Sequence, residues 1–239
     1  MDPLLEDEVG LLEDDVLDDY LDDFYTKTGQ QQGVDKRLWW QIMHAFDFCL
    51  GGFTFILGTC CYFFKDWTAG LTLAALLYTI GSCGFLAVDV QEFFTFKENK
   101  LLRANIFMSA SGSFFYVLGS VGYFPFILDV FPLGEIGFII GSFLIGVSQC
   151  WKVYRIGCDD GSFSPRNIIS SKDNFTAVGV EADAGIGAWC FFFGTIFYLF
   201  ISDFSSWEYT AVLLIWLAGS AFFSTGGLFL SFRHFVMKI

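Results

Sequence analysis

Charged residues make up only 16% of this 239-residue chain, against about a quarter in an ordinary soluble domain. Proline occurs four times, and His44 and His234 are the only histidines, too few for a histidine-rich zinc or haem site. None of the seven cysteines (49, 60, 61, 83, 150, 158 and 190) forms a CxxC pair, and most fall in apolar runs, where cysteine acts as a small hydrophobe. A Gly-rich phosphate loop, a nucleophile elbow and an HExxH helix are all missing. These gaps exclude a soluble globule, a nucleic-acid binder and a disulfide-rich secreted module. They leave no catalytic, cofactor or metal constellation, so a protein without enzymatic activity is expected.

What the chain has is apolar surface. Apolar types reach 54%, aromatics 20% and phenylalanine 32 residues, with a mean hydropathy of +0.55. Six runs approach the roughly 20 residues needed to cross about 30 Å of hydrocarbon as a helix: Trp40–Phe64, Ala69–Val90, Ala104–Phe124, Gly134–Trp151, Gly185–Ile201 and Tyr209–Phe232. The expectation is an all-α polytopic bundle of six spans. The formal charge of −13 is concentrated in a tail, because residues 1–25 carry 11 of the 26 acids and no base.

The connections alternate in character. Twelve Lys and Arg residues precede span one, lie between spans two and three and between four and five, or follow span six; Lys65 alone falls on the other side. By the positive-inside rule this places both termini in the cytosol, in an endomembrane such as a lysosome or vacuole, or in the plasma membrane. Neither a cleavable signal peptide nor a basic presequence is expected, since the first apolar run follows a polar, acid-rich stretch. The one sequon, Asn174-Phe175-Thr176, falls in the longest hydrophilic loop on the basic side and is expected to stay unmodified. Cys150 and Cys158 flank the same surface and could carry palmitate.

The spans repeat in pairs. First helices read Leu57-Gly58-Thr59, Leu118-Gly119-Ser120 and Phe193-Gly194-Thr195, each followed by an aromatic. Second helices read Ile80-Gly81-Ser82, Ile140-Gly141-Ser142 and Ala218-Gly219-Ser220. The glycines within a pair are 23, 22 and 25 residues apart. Small residues let helix backbones approach in lipid, and the hydroxyls can bond a neighbour, so these positions are read as a packing seam within each hairpin. The pattern of apolar helix, Gly-Ser/Thr-x-x-aromatic, short loop and Ile-Gly-Ser helix resembles the YrhK-like domain, small two-helix membrane domains of unknown biochemical role. The match is best over residues 101–156, from Leu102-Arg103-Ala104-Asn105 through Phe138-Ile139-Ile140-Gly141-Ser142. The resemblance implies three tandem hairpins and brings no catalytic residue with it. The expected organisation is an acidic tail (1–37), hairpins at 38–97, 98–156 and 182–239, and a cytosolic loop at 157–181.

Ionisable groups inside a membrane are functional candidates by default. His44 and Asp47 lie three residues apart on one helical face, a spacing suited to relaying protons or holding a cation. Asp89 and Gln149 are read as marking the water boundary on spans two and four. In the tail, Leu5, Val9, Leu12, Val16, Tyr20 and Phe24 recur every three or four residues between acids, the pattern of an amphipathic helix or of a disordered segment ordered by a basic partner. Asp7-Glu8-Val9-Gly10-Leu11-Leu12 resembles an acidic dileucine signal, with Asp7, Leu11 and Leu12 as the residues a clathrin adaptor would read. The expected role is that of a structural or interaction component of a membrane; the alternative is a small transporter or channel with its path between the hairpins.

Overall fold

The computed structural model describes residues 38–64, 68–96, 99–128, 132–159, 162–203 and 206–238; the acidic segment with Asp7, Leu11 and Leu12 lies outside them. Six long helices dominate: α1 Leu38–Tyr62, α2 Thr68–Thr95, α3 Lys100–Gly122, α4 Leu133–Gly157, α5 Lys172–Tyr198 and α6 Trp207–Phe232. Each is long and apolar enough to cross a bilayer. The fold is all-α with six spans, and the chain is an integral membrane protein. Its outer face fits that solvent, with Phe46, Phe53, Leu57, Phe107, Phe143 and Phe193 exposed.

Several hydroxyl side chains inside the spans bond within their own helix. Thr59, Ser120 and Ser220 each donate to the carbonyl four residues earlier, at 2.8, 2.7 and 2.8 Å. Polar residues cap helix starts where chain connections leave the bundle. Asn99 accepts from Leu102 N at 2.9 Å, Ser171 from Asn174 N at 3.0 Å and Ser206 from Tyr209 N at 3.3 Å. Between α4 and α5 the chain forms a two-stranded turn, Cys158–Asp159 against Ser162–Phe163, and a short helix, Pro165–Ile169; a π-helical turn, Arg233–Met237, follows α6.

Each long helix packs on its neighbours in sequence, and α6 packs back on α1, closing a ring of six. Within a hairpin the motif glycines and aromatics pair reciprocally. A Cβ on Gly141 would lie 2.6 Å from the Tyr116 ring and 2.7 Å from the Gly112 carbonyl oxygen, and one on Gly119 would lie 2.7 Å from the Phe138 ring. Gly58 faces Tyr78 while Gly81 faces Phe55, and Gly194 faces Trp216 while Gly219 faces Phe191. In all three hairpins the aromatic stands three residues before the partner glycine.

Equivalent positions therefore meet on one axis. Phe55, Tyr116 and Phe191 form a triangle with ring centroids 5.8, 5.3 and 6.2 Å apart, and all three are fully buried. The six motif hydroxyls, Thr59, Ser82, Ser120, Ser142, Thr195 and Ser220, each have 0% exposure. Their bonds reach beyond the within-hairpin seam expected from sequence. Thr59 meets the Tyr78 hydroxyl at 2.7 Å and Ser142 meets that of Tyr116 at 2.9 Å inside hairpins. Ser82 meets Ser120 at 2.9 Å and Thr59 meets Ser220 at 3.4 Å between hairpins.

The helices also outrun the apolar runs at the end where the chain enters and leaves. Lys152 and Arg155, read from sequence as loop bases, lie in α4, and α5 starts at Lys172, inside the expected 157–181 loop. Asn174 is accordingly in the first turn of α5, its amide donating to the Asn167 carbonyl at 2.9 Å. A hydropathy run stops at its first charge, whereas a helix continues if that charge finds a partner.

Replacing Gly141 with Leu is expected to lower thermal stability in detergent by about 1–3 kcal/mol or more, because the side chain must displace both a ring and a backbone carbonyl. Ile136→Leu, at an exposed position of the same helix, serves as the control and should melt close to wild type. Indistinguishable melting of the two variants would remove the packing role.

Candidate functional site

The polar chemistry of the bundle gathers at one end, the end that also carries every described lysine and arginine. Lys152 on α4 is 5% exposed, and its Nζ sits 3.1 Å from Glu92 Oε2 on α2 and 3.3 Å from Glu181 Oε2 on α5. Glu92 Oε1 lies 3.4 Å from His44 Nε2, and His44 Nδ1 lies 3.0 Å from His234 Nε2 on the π-helical turn. Trp40 stacks on His44 with centroids 4.4 Å apart. One network thus ties α1, α2, α4, α5 and the turn after α6. A second clamp holds the last hairpin at this end: Arg233 Nη1 pairs with Asp173 Oδ1 at 2.7 Å and donates to the Asp173 carbonyl at 2.6 Å.

Deeper by about one helical turn lies Asp89, buried, accepting from Ser113 Oγ at 2.5 Å. It borders a cavity of about 30 Å³, also lined by Phe48, Phe85, Ser109, Ile145, Gln149, Ala184 and Phe223. Above the cavity the axis is closed by the aromatic triangle and by Tyr78, Phe138 and Trp216, all buried. Among the described residues no group of three His, Cys, Asp or Glu side chains converges as a metal site would need.

This arrangement revises the candidates read from sequence. His44 and Asp47 find different hydrogen-bond partners. His44 turns inward to Glu92 and His234, while Asp47 is only half-buried and accepts from Gln91 Nε2 at 2.9 Å. Asp89 and Gln149 do not mark a wet boundary; each is 6% exposed and faces the internal cavity. Trp40 is buried against the histidines, whereas Trp39 is exposed. The Glu92–Lys152–Glu181 network was missed altogether. A signal existed, because Glu92 and Lys152 stand at the same offset, eleven residues beyond Gly81 and Gly141, so any rotation that brings the glycines to equivalent places brings these two together.

Removing one member of a buried charge group leaves the others uncompensated, at a cost of about 3–5 kcal/mol. Lys152→Met should therefore melt well below wild type in detergent, and adding Glu92→Gln and Glu181→Gln to it should recover most of the loss. A triple variant no more stable than Lys152→Met would show that the lysine acts through packing, not charge. Comparison of the chain with protein-family models, with characterised proteins and with solved structures returned no match.

Proposed function

We propose that this integral membrane protein works without catalysis, as a packed scaffold of three YrhK-like hairpins that presents a partner-binding tail. The observation that carries this reading is the closed axis. Phe55, Tyr116 and Phe191 touch one another where a conducting path between hairpins would have to run, and they are backed by Tyr78, Phe138 and Trp216. Rings in mutual contact exclude water, and a solute path needs either water or a continuous set of polar groups. The transporter reading has less support for that reason, although the small polar cavity keeps it in view.

In this reading the basic end faces the cytosol, since every described Lys and Arg lies there and bases are retained on the cytosolic side. The tail would then also be cytosolic, on an endomembrane or the plasma membrane. Its acids and regularly spaced apolar residues suit a basic protein partner, and Asp7, Leu11 and Leu12 suit a clathrin adaptor.

Two experiments test the proposal. A peptide of residues 1–25 should bind purified adaptor complex, and Leu11→Ala with Leu12→Ala should abolish that binding; equal binding by both peptides would refute the adaptor reading. For sidedness, Asn174 is a poor reporter because its amide already donates to the Asn167 carbonyl of the preceding short helix. A flexible insert bearing a sequon should be glycosylated when placed between residues 126 and 132, and unmodified when placed between 159 and 162. The reverse outcome would put the basic end and the tail on the lumenal side.

A further inference from the structure

The polar cavity stands on the axis around which the hairpins are arranged. Phe48, Ser109 and Ala184 line it from α1, α3 and α5, each ten residues before its motif glycine. Phe85, Ile145 and Phe223 line it from α2, α4 and α6, each four residues after theirs. At the next equivalent level stand Asp89, Gln149 and Gly227, eight residues after Gly81, Gly141 and Gly219. The three-way pattern that holds for the aromatics breaks at this level, and Asp89 and Gln149 bring side-chain oxygens to the cavity. Ser113 shows the same break, since its counterparts six residues before the glycines are Gly52 and Ala188.

Three buried or nearly buried carboxylates, Asp89, Glu92 and Glu181, face two permanent cations, Lys152 and Arg155. The lysine sits at ion-pair distance from both glutamates, and the histidine pair faces Glu92. Asp89 has no base at ion-pair distance among the described residues; it accepts from the Ser113 hydroxyl, and Ser109 lines the same cavity. A hydroxyl that donates its proton to a carboxylate keeps its lone pairs for a further ligand. Gln149 Oε1 also borders the cavity, buried and with no hydrogen-bond partner among the described residues. An orphan acceptor of this kind calls for an occupant.

We propose that this cavity is a binding site for a single sodium-sized monovalent cation, held by Asp89, Gln149 Oε1, Ser109 Oγ and Ser113 Oγ. A volume of about 30 Å³ exceeds the roughly 10–15 Å³ that one water-sized occupant needs and is far below what a metabolite needs. A cation, unlike a water molecule, would engage the Asp89 carboxylate and the Gln149 amide oxygen together. One carboxylate among neutral oxygens suits a monovalent ion, since calcium takes six to eight oxygen ligands and commonly several carboxylates. Nitrogen and sulfur donors are missing from the lining, so a transition metal has no soft or borderline ligand here. Asp89 lies six residues, about 9 Å of helix, before the end of α2. The ion would therefore enter from the basic end and go no further than the aromatic triangle.

The test uses the full chain purified in detergent. Melting temperature is followed as sodium chloride replaces choline chloride at constant ionic strength, alongside retention of radioactive sodium by the immobilised protein. A ligand that binds only the folded state raises the melting temperature saturably, so a sodium-dependent rise with matching retention is expected. Asp89→Asn should abolish both responses, because it removes the one anionic ligand of the site. Should that variant fail to fold, Ser113→Ala and Gln149→Leu keep the carboxylate and should each weaken sodium binding by about tenfold to a hundredfold. Identical melting in sodium and choline with no retained label would overturn the site. So would retention that survives both Ser113→Ala and Gln149→Leu unchanged.

Discussion

The structure depends on one steric fit: a glycine on each helix receiving the ring that stands three residues before the glycine of its partner. In water, apolar helices associate because surface leaves solvent. In lipid that gain is absent, and contact must come from close packing and dispersion. Gly141 against Tyr116 and Gly119 against Phe138 supply it, because a hydrogen in place of a side chain brings ring and backbone together. The same exchange occurs in all three hairpins, so one local rule repeated three times produces the ring. The hydroxyls beside the glycines then join one hairpin to the next, as Ser82 does with Ser120 and Ser220 with Thr59.

Threefold repetition has a consequence on the axis. The rings three residues before Gly58, Gly119 and Gly194 arrive at one level and share one volume. Where all three members are aromatic, as with Phe55, Tyr116 and Phe191, the axis is solid. Nearer the basic end, Asp89 and Gln149 border a small cavity instead. The third hairpin departs in another way: its rings are Phe191 and Trp216, neither of which carries a hydroxyl. Thr195 Oγ1 and Trp216 Nε1 accordingly have no hydrogen-bond partner among the described residues, while Thr59 and Ser142 each meet a tyrosine.

Buried ion pairs are a poor source of stability in themselves, since desolvation offsets much of their attraction. Their value here is geometric. Lys152 contacts carboxylates on α2 and α5 at once, and Glu92 passes the connection to His44 and so to the turn after α6. Helices that slide easily past one another in lipid are thereby pinned in register at the basic end, below the aromatic levels that set their spacing.

The sequence by itself determined the solvent, the number of spans, the pairing of hairpins and the glycine seams. Those properties follow from apolar run length and from motif spacing, both of which are local and one-dimensional. Only the tertiary structure decided where the ionisable residues point. His44 and Asp47 share a helical face, yet one finds Glu92 and His234 and the other Gln91. Asp89 and Gln149 look like interfacial residues because hydropathy records depth along a helix and carries no information on rotation about the bundle axis. That rotation is set by ring closure, when α6 packs on α1. Charges such as Lys152, which end an apolar run in sequence, are drawn inside because partners on distant helices converge on the same axis.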